Sequence, residues 1–209
     1  MITVGTHDGI FHADEVFAIA TLKLIQPLVV LRSRDQEVLG DADILIDVGQ
    51  CYDHKMGYYD HHQKGGAGAR DSVREEEGGV PYASFGLVWK HYGTDACNGN
   101  PVVADMLDEE LVSVIDAADC GHKLCVGSHF SVTDIISGLN PTWCEKNYNT
   151  DAAFDKAVKL AESILSRKIA SCTAREAARS IVRRAIAEAN GDPIIVMGKY
   201  CPCLLYTSP

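Results

Sequence analysis

The sequence has no apolar run near the roughly 18 residues needed to cross a bilayer, which excludes a membrane-spanning helix. None of its eight cysteines form a CxxC pair, so neither a zinc knuckle nor a thioredoxin-type redox motif is written; Cys201-Pro-Cys203 is the one close pair. Most of the cysteines are expected to be small buried apolar residues. The opening MITVGTHDG lacks a basic n-region, a long apolar stretch and an Arg/Ser-rich leader, so the expected compartment is the cytosol. No internal repeat is visible. Histidine is missing after residue 130, and the 19 Lys and Arg are outnumbered by 29 Asp and Glu, a formal charge of −10. Such a balance disfavours a tight duplex binder.

What is present is ordinary globular material, 46% hydrophobic and 23% charged over 209 residues, enough for a sizeable core. The charge is uneven. Residues 1–150 hold 23 acids and 10 bases (−13), whereas 151–190 hold 5 acids and 8 bases (+3). All eight histidines share the acidic part, and imidazoles among carboxylates are the composition of a divalent-metal site.

Ile2–Thr6 reads as a strand, His7–His12 as a loop, and Ala13–Gln26 as a helix stopped by Pro27. Leu28–Leu31 and Asp43–Gly49 read as further strands, apolar throughout as in a parallel sheet buried on both faces. Tyr52 and Tyr58 flank a hairpin turn at Lys55–Gly57 that delivers Asp60-His61-His62. Gly65–Gly79 has no apolar face and is expected to be a mobile surface loop. Helices are expected at Pro81–Tyr92, Pro101–Asp119 and Thr150–Asn190, the last broken near Ser171–Thr173. Pro193–Met197 reads as a strand opening a further unit. The fold class is therefore α/β, a mainly parallel sheet flanked by helices.

Four constellations could carry chemistry. His7-x4-His12-x-Asp14 lies after the first strand, where open α/β sheets bind ligands, although Asp14 and Glu15 also suit the start of a helix. Asp47 stands at the tip of an apolar strand, where one carboxylate can bridge two cations, or can simply accept nearby backbone N–H groups. Successive side chains alternate sides, so Asp60-His61-His62 splits into one histidine as metal ligand, Asp60 as its orienting partner, and the other histidine facing substrate. Asp116-x-x-Asp119 puts two carboxylates on one helix face near its C-terminal end, unfavourable to the helix dipole unless a cation sits beside them. Two to three imidazoles and three to four carboxylates suit two adjacent ions better than one closed zinc.

The order THDGIFHADE, LIDVG, YDHH and IDAADCG resembles the DHH phosphoesterase superfamily. Within it, residues 1–202 are similar to the Myg exonuclease family through GTHDGIFHADE, YDHHQ, PYASFGLVWKHYG, IDAADCG and SGLNPTW. The resemblance implies metal binding by His7, His12, Asp14, Asp47, His61 and one of Asp116 or Asp119, with His62 facing the phosphate. It implies two Mn²⁺ ions. His12 stands where the superfamily usually has Asp, one residue further along, which admits softer ions such as Zn²⁺ or Co²⁺ beside Mg²⁺. The implied activity is 3′→5′ exonucleolytic hydrolysis of RNA or short single-stranded oligonucleotides. A small phosphorylated substrate such as pyrophosphate, and a metal-binding scaffold without turnover, are the alternatives. The resemblance further implies a DHH-like domain over 1–190, with 191–209 the start of a truncated C-terminal domain and activity impaired by the missing part. No membrane partner is expected, and the oligomeric state is left open.

Overall fold

The computed structural model describes residues 1–71, 79–122 and 130–190, together with Ile195, Met197 and Gly198. Most of the expected strand at Pro193–Met197 and of the proposed 191–209 unit lies outside the described residues, as do residues 72–78 of the expected loop.

Five strands form one sheet in the order β2-β1-β3-β5-β4. β1 (Ile2–Thr6) lies between β2 (Leu28–Arg32) and β3 (Ile44–Ile46), both parallel to it, and β3 pairs in parallel with β5 (Tyr58–Tyr59). β4 (Tyr52–Asp53) returns antiparallel to β5 across a 3₁₀ turn at His54–Met56. Gly57 closes that turn at φ 74°, and a Cβ there would come within 2.6 Å of the Asp43 carbonyl oxygen. Only glycine fits. The sheet is mainly parallel, as read from the sequence, but β2 is not buried on both faces: it is the edge strand, half-buried along its length, with Val29 50% exposed. An apolar run reads alike at the edge and at the centre.

The helices bury their small and branched residues against this sheet. α1 (Ala13–Ile25) is enclosed from Ala13 to Leu22, packed against both α3 (Ser84–Ala96) and α7 (Thr150–Ala189). At its end the Gln26 N–H donates to Leu22 O before Pro27 prevents continuation. Val4, Ile44 and Ile46 join Phe17, Phe85, Leu87 and Phe154 in one core. α2 (Gln36–Leu39) is a single turn capped by Asp35. The expected helix over Pro101–Asp119 is three pieces, α4 (Pro101–Leu107), a π turn at Asp108–Val112 and α5 (Ser113–Asp119), and the wide turn offsets the face of α5 from that of α4. α6 (Val132–Ser137) follows.

The expected break in the last helix does not occur. Cys172 packs into the core, and the Thr173 hydroxyl donates to Ile169 O at 2.8 Å, so the polar run Ser171–Thr173 is absorbed into one turn of α7. The cysteines also differ from expectation. All five described are free, and only Cys97 and Cys172 are buried; Cys120 is half-buried, and Cys51 and Cys144 are exposed. No described helix is long and apolar enough to cross a membrane.

Candidate metal centre

The C-terminal ends of β1, β3 and β5 point to one place, and α1 begins there. His7 leaves β1, Asp47 leaves β3, and Asp60-His61-His62 leaves β5. Asp47 adopts φ 55°, a left-handed backbone that Asp tolerates better than most residues and that turns its carboxylate out of the strand line.

His7 Nε2 lies 3.2 Å from Glu15 Oε1 and 3.3 Å from Asp47 Oδ2. His61 Nε2 faces three carboxylates, Asp119 at 3.1 Å, Asp47 at 3.5 Å and Asp14 at 3.9 Å. His62 Nδ1 is 2.8 Å from Asp60 Oδ1 and 3.3 Å from Asp47 Oδ1. Among the described residues, three groups have donor atoms close enough to share an ion: His7, His12, Glu15 and Asp47; Asp47, His61 and His62; His12, Asp14 and Asp119. Asp47 belongs to two of them, and so does His12.

The structure separates the two acids of IDAADCG. Asp119, the last residue of α5, joins the cluster, whereas Asp116 is buried away from it, accepting hydrogen bonds from Arg70 Nη1 at 2.8 Å and the Gly86 N–H at 2.9 Å. The two carboxylates do not share partners. Arg70 also holds Asp108 through Nε and Nη2, both at 2.7 Å. The expected Gly65–Gly79 loop is anchored at its described ends, where Arg70 N–H donates to Val80 O and Tyr82 N–H to Gly68 O. Asp60 orients His62 rather than His61. Its Oδ1 accepts from the His62 N–H and ring, and its Oδ2 accepts from the Gln50 N–H at 2.6 Å. His61 instead has Cys120 Sγ 3.7 Å from its Nδ1.

Three residues of the cluster were not legible as such. Glu15 reads as a helix-start acid, and its Oε1 does accept from the His12 N–H at 2.8 Å, but it also faces His7. Ser84 binds two ligand candidates at once, its hydroxyl donating to Asp47 Oδ1 at 3.2 Å and its N–H to Asp14 Oδ2 at 3.3 Å. Cys120 is the third. Only the segment PYASFG, quoted for its resemblance, signalled Ser84.

The electrostatics call for cations. Burial disfavours protonating His7, yet its bonds to Asp47 and Glu15 push it up to about 10. Burial likewise opposes protonation of His61, and Asp119 and Asp47 overcome it, lifting the ring to about 12. Asp47 raises His62 to about 9 against burial, with Asp60 adding to the effect. Burial and repulsion from Asp47 hold the Asp14 carboxyl far above the usual carboxylate range; burial pushes Asp47 the same way, but His61, His62 and His7 bring it far below. Asp14 Oδ1 and Glu15 Oε2 are buried without a hydrogen-bond partner. Unpartnered buried acceptors beside an imidazole form a nitrogen and oxygen donor set suited to divalent ions.

A pH prediction follows for the metal-free chain. Groups raised above their unfolded value of 6.5 contribute stability that is complete below that pH and is lost as pH rises through the folded values. Melting in EDTA should therefore fall from pH 6.5 toward pH 9. A divalent ion must displace those protons, so the gain in melting temperature on adding Mn²⁺ should grow over the same range. Parallel melting curves with and without Mn²⁺ would show the prediction wrong.

No solved structure is similar to this chain at a significant level. Among curated proteins, the chain is 31% identical over 223 residues to the MYG1 protein C27H6.8 of Caenorhabditis elegans, covering 95% of this chain and 66% of that protein. It is 31% identical to a Homo sapiens protein named MYG1 exonuclease, covering 88% of this chain and 55% of the relative, and 30% identical to the Saccharomyces cerevisiae MYG1 protein YER156C over 95% and 67%. The chain spans about half to two thirds of the length of these relatives. Residues 3–206 match the family model MYG1_exonuc, described as an uncharacterised protein family (UPF0160). With nearly its whole length matched, the chain belongs to the MYG1_exonuc family.

Proposed function

We propose that the cluster binds two divalent metal ions, Mn²⁺ in the first instance, and that the chain hydrolyses phosphodiesters at the ends of RNA or short single-stranded oligonucleotides, in the 3′→5′ direction. The observation that carries this reading is the sharing of Asp47 between two sides of the cluster, grouped with His7, His12 and Glu15 on one and facing His61 at 3.5 Å on the other. The name exonuclease borne by the human relative supports the reaction class.

His7, Glu15, Asp47, His61, Asp14 and Asp119 would hold the metal, with His12 between two groups. Bound there, divalent ions supply an activated water and offset the charge gathering on the phosphoryl oxygens. His62 has a different task. Asp60 holds its Nδ1, its side chain is 56% exposed, and Nε2 is left to donate a hydrogen bond or a proton to substrate. Ser84 fixes the Asp47 and Asp14 carboxylates from behind.

Metal analysis of the purified chain, beside cleavage of an end-labelled oligoribonucleotide with Mn²⁺ and with EDTA, tests this reading. Bound metal and EDTA-sensitive shortening from the 3′ end are expected. His62→Ala should keep the metal and lose rate by about 10²–10⁴-fold, the usual loss when acid–base help is removed. Absence of metal binding overturns the reading, and emptying of the site by His62→Ala overturns its division of labour. The acidic balance of residues 1–150 favours a second reading, hydrolysis of a small phosphorylated molecule, for which pyrophosphate turnover exceeding oligonucleotide turnover would decide.

A further inference from the structure

Trp143 is the most exposed large apolar residue of the described chain, 97% accessible, while the other tryptophan, Trp89, is 4% accessible and donates its indole N–H to Ala104 O. A ring so placed buries nothing, yet it is firmly presented. It sits at the tip of a turn closed from both sides, the Thr142 N–H donating to Glu145 Oε2 at 2.6 Å and the Glu145 N–H to Thr142 O at 3.1 Å. Three residues earlier, Asn140 clasps Phe11 with its amide: Oδ1 accepts from the Phe11 N–H at 2.9 Å, and Nδ2 donates to Phe11 O at 2.7 Å. Phe11 precedes His12. The turn is thereby fixed to the loop that carries His7 and His12, and its tip lies within about 11 Å of chain from the clasp.

We propose that Trp143 is a stacking platform for an unpaired base of single-stranded nucleic acid, held at the margin of the metal cluster by Asn140. The inference rests on the nucleic-acid reading given above and names how the strand is held.

Two observations favour a flat aromatic partner over a protein. Residues 142–147 around the ring are exposed, and all but the tryptophan are polar or a lone cysteine, so its neighbours in the turn add no apolar area to it of the kind a stable protein interface requires. The chain also carries a net charge of −10, with a cluster crowded by carboxylates, so backbone phosphates are poorly attracted. Stacking is indifferent to that charge, because every base offers an uncharged face. An exposed indole fixed by a hydrogen-bonded turn supplies such a contact with little ordering cost.

The test is binding, without turnover. The full chain in EDTA is titrated with a dye-labelled oligouridylate and with an abasic strand of equal length, reading anisotropy and tryptophan emission together. Because Trp89 is buried, quenching reports Trp143. Expected are quenching by the base-bearing strand, affinity about tenfold weaker in Trp143→Ala and largely kept in Trp143→Phe, and weak salt dependence of that difference. Stacking is worth on the order of a tenfold or larger factor per base when the ring is truncated. Equal affinity for the abasic strand, no quenching, or an unchanged Trp143→Ala overturns the proposal. No folding loss is expected in these variants, since the side chain is 97% accessible among the described residues. Stacking without hydrolysis would sink the hydrolase reading alone, and hydrolysis with an unaffected Trp143→Ala would sink the platform alone.

Discussion

Replacing Asp47 by asparagine should empty the site while leaving the fold in place. Asparagine has nearly the same shape and tolerates the left-handed backbone at φ 55°, so neither the turn after β3 nor the packing around it need change. What is lost is the one negative charge that His7, His61 and His62 all face, at 3.3, 3.5 and 3.3 Å. Losing an outer partner of a ligand typically lowers metal affinity about 10–100-fold. Losing a carboxylate common to two donor groups should exceed that, with turnover falling at least as far. Metal stoichiometry by elemental analysis, with circular dichroism as the control on folding, checks it. A variant that binds two equivalents of metal and turns over normally removes Asp47 from the centre.

The second large effect is expected where no chemistry is proposed. Gly86 lies on α3 against the buried Asp116, and a Cβ built on it would overlap Asp116 Oδ2 and stand 2.8 Å from Arg70 Nη2. Neither neighbour can yield easily, because Asp116 is fixed by Arg70 and by the Gly86 N–H, and Arg70 is held bidentately by Asp108. Gly86→Ala must push α5 off α3 or break a buried ion pair. Overpacking costs about 1–3 kcal/mol and breaking a buried pair about 3–5 kcal/mol, so a loss near 3 kcal/mol or more is expected. For a chain of this size that lowers the melting temperature by roughly 6–12 °C. Asp116→Ser in the same chain should restore part of it, as a double-mutant cycle would measure. Unchanged melting of Gly86→Ala would show that α3 and α5 do not approach so closely in solution.

These two residues also mark what a sequence can reveal. β1, α1 and the Lys55–Gly57 turn were legible because short-range chemistry fixes them: β-branched residues, a proline after the last helical turn, and a glycine where φ must be positive. Asp47 and the histidines of YDHH were legible for a related reason, since strand ends in a parallel sheet converge on one edge. Asp116 and Asp119 were not separable. Their spacing says only that both lie on a helix, and the arginine that claims Asp116 lies 46 residues earlier, in a segment of no regular pattern. Glu15 was hidden by plausibility, because an acid in the first turn of a helix already has a local explanation. The unbroken α7 was missed where its core contact, Cys172, sits among residues that read as polar.

The placing of α1 bears on how the chain reaches its fold. α1 ends at Ile25, yet one of the helices that cover it begins at Thr150 and packs into the core as far as Cys172. At synthesis rates of about 5–20 residues per second, the interval between making the first and completing the second is on the order of ten to thirty seconds. Until α3 is complete at Ala96 neither of these helices covers α1, and from then until α7 is made only one of them does. Parallel strands add their own delay, since each needs a crossover before it can pair. The nascent chain therefore leaves the α7 side of α1 uncovered until α7 has emerged from the ribosome.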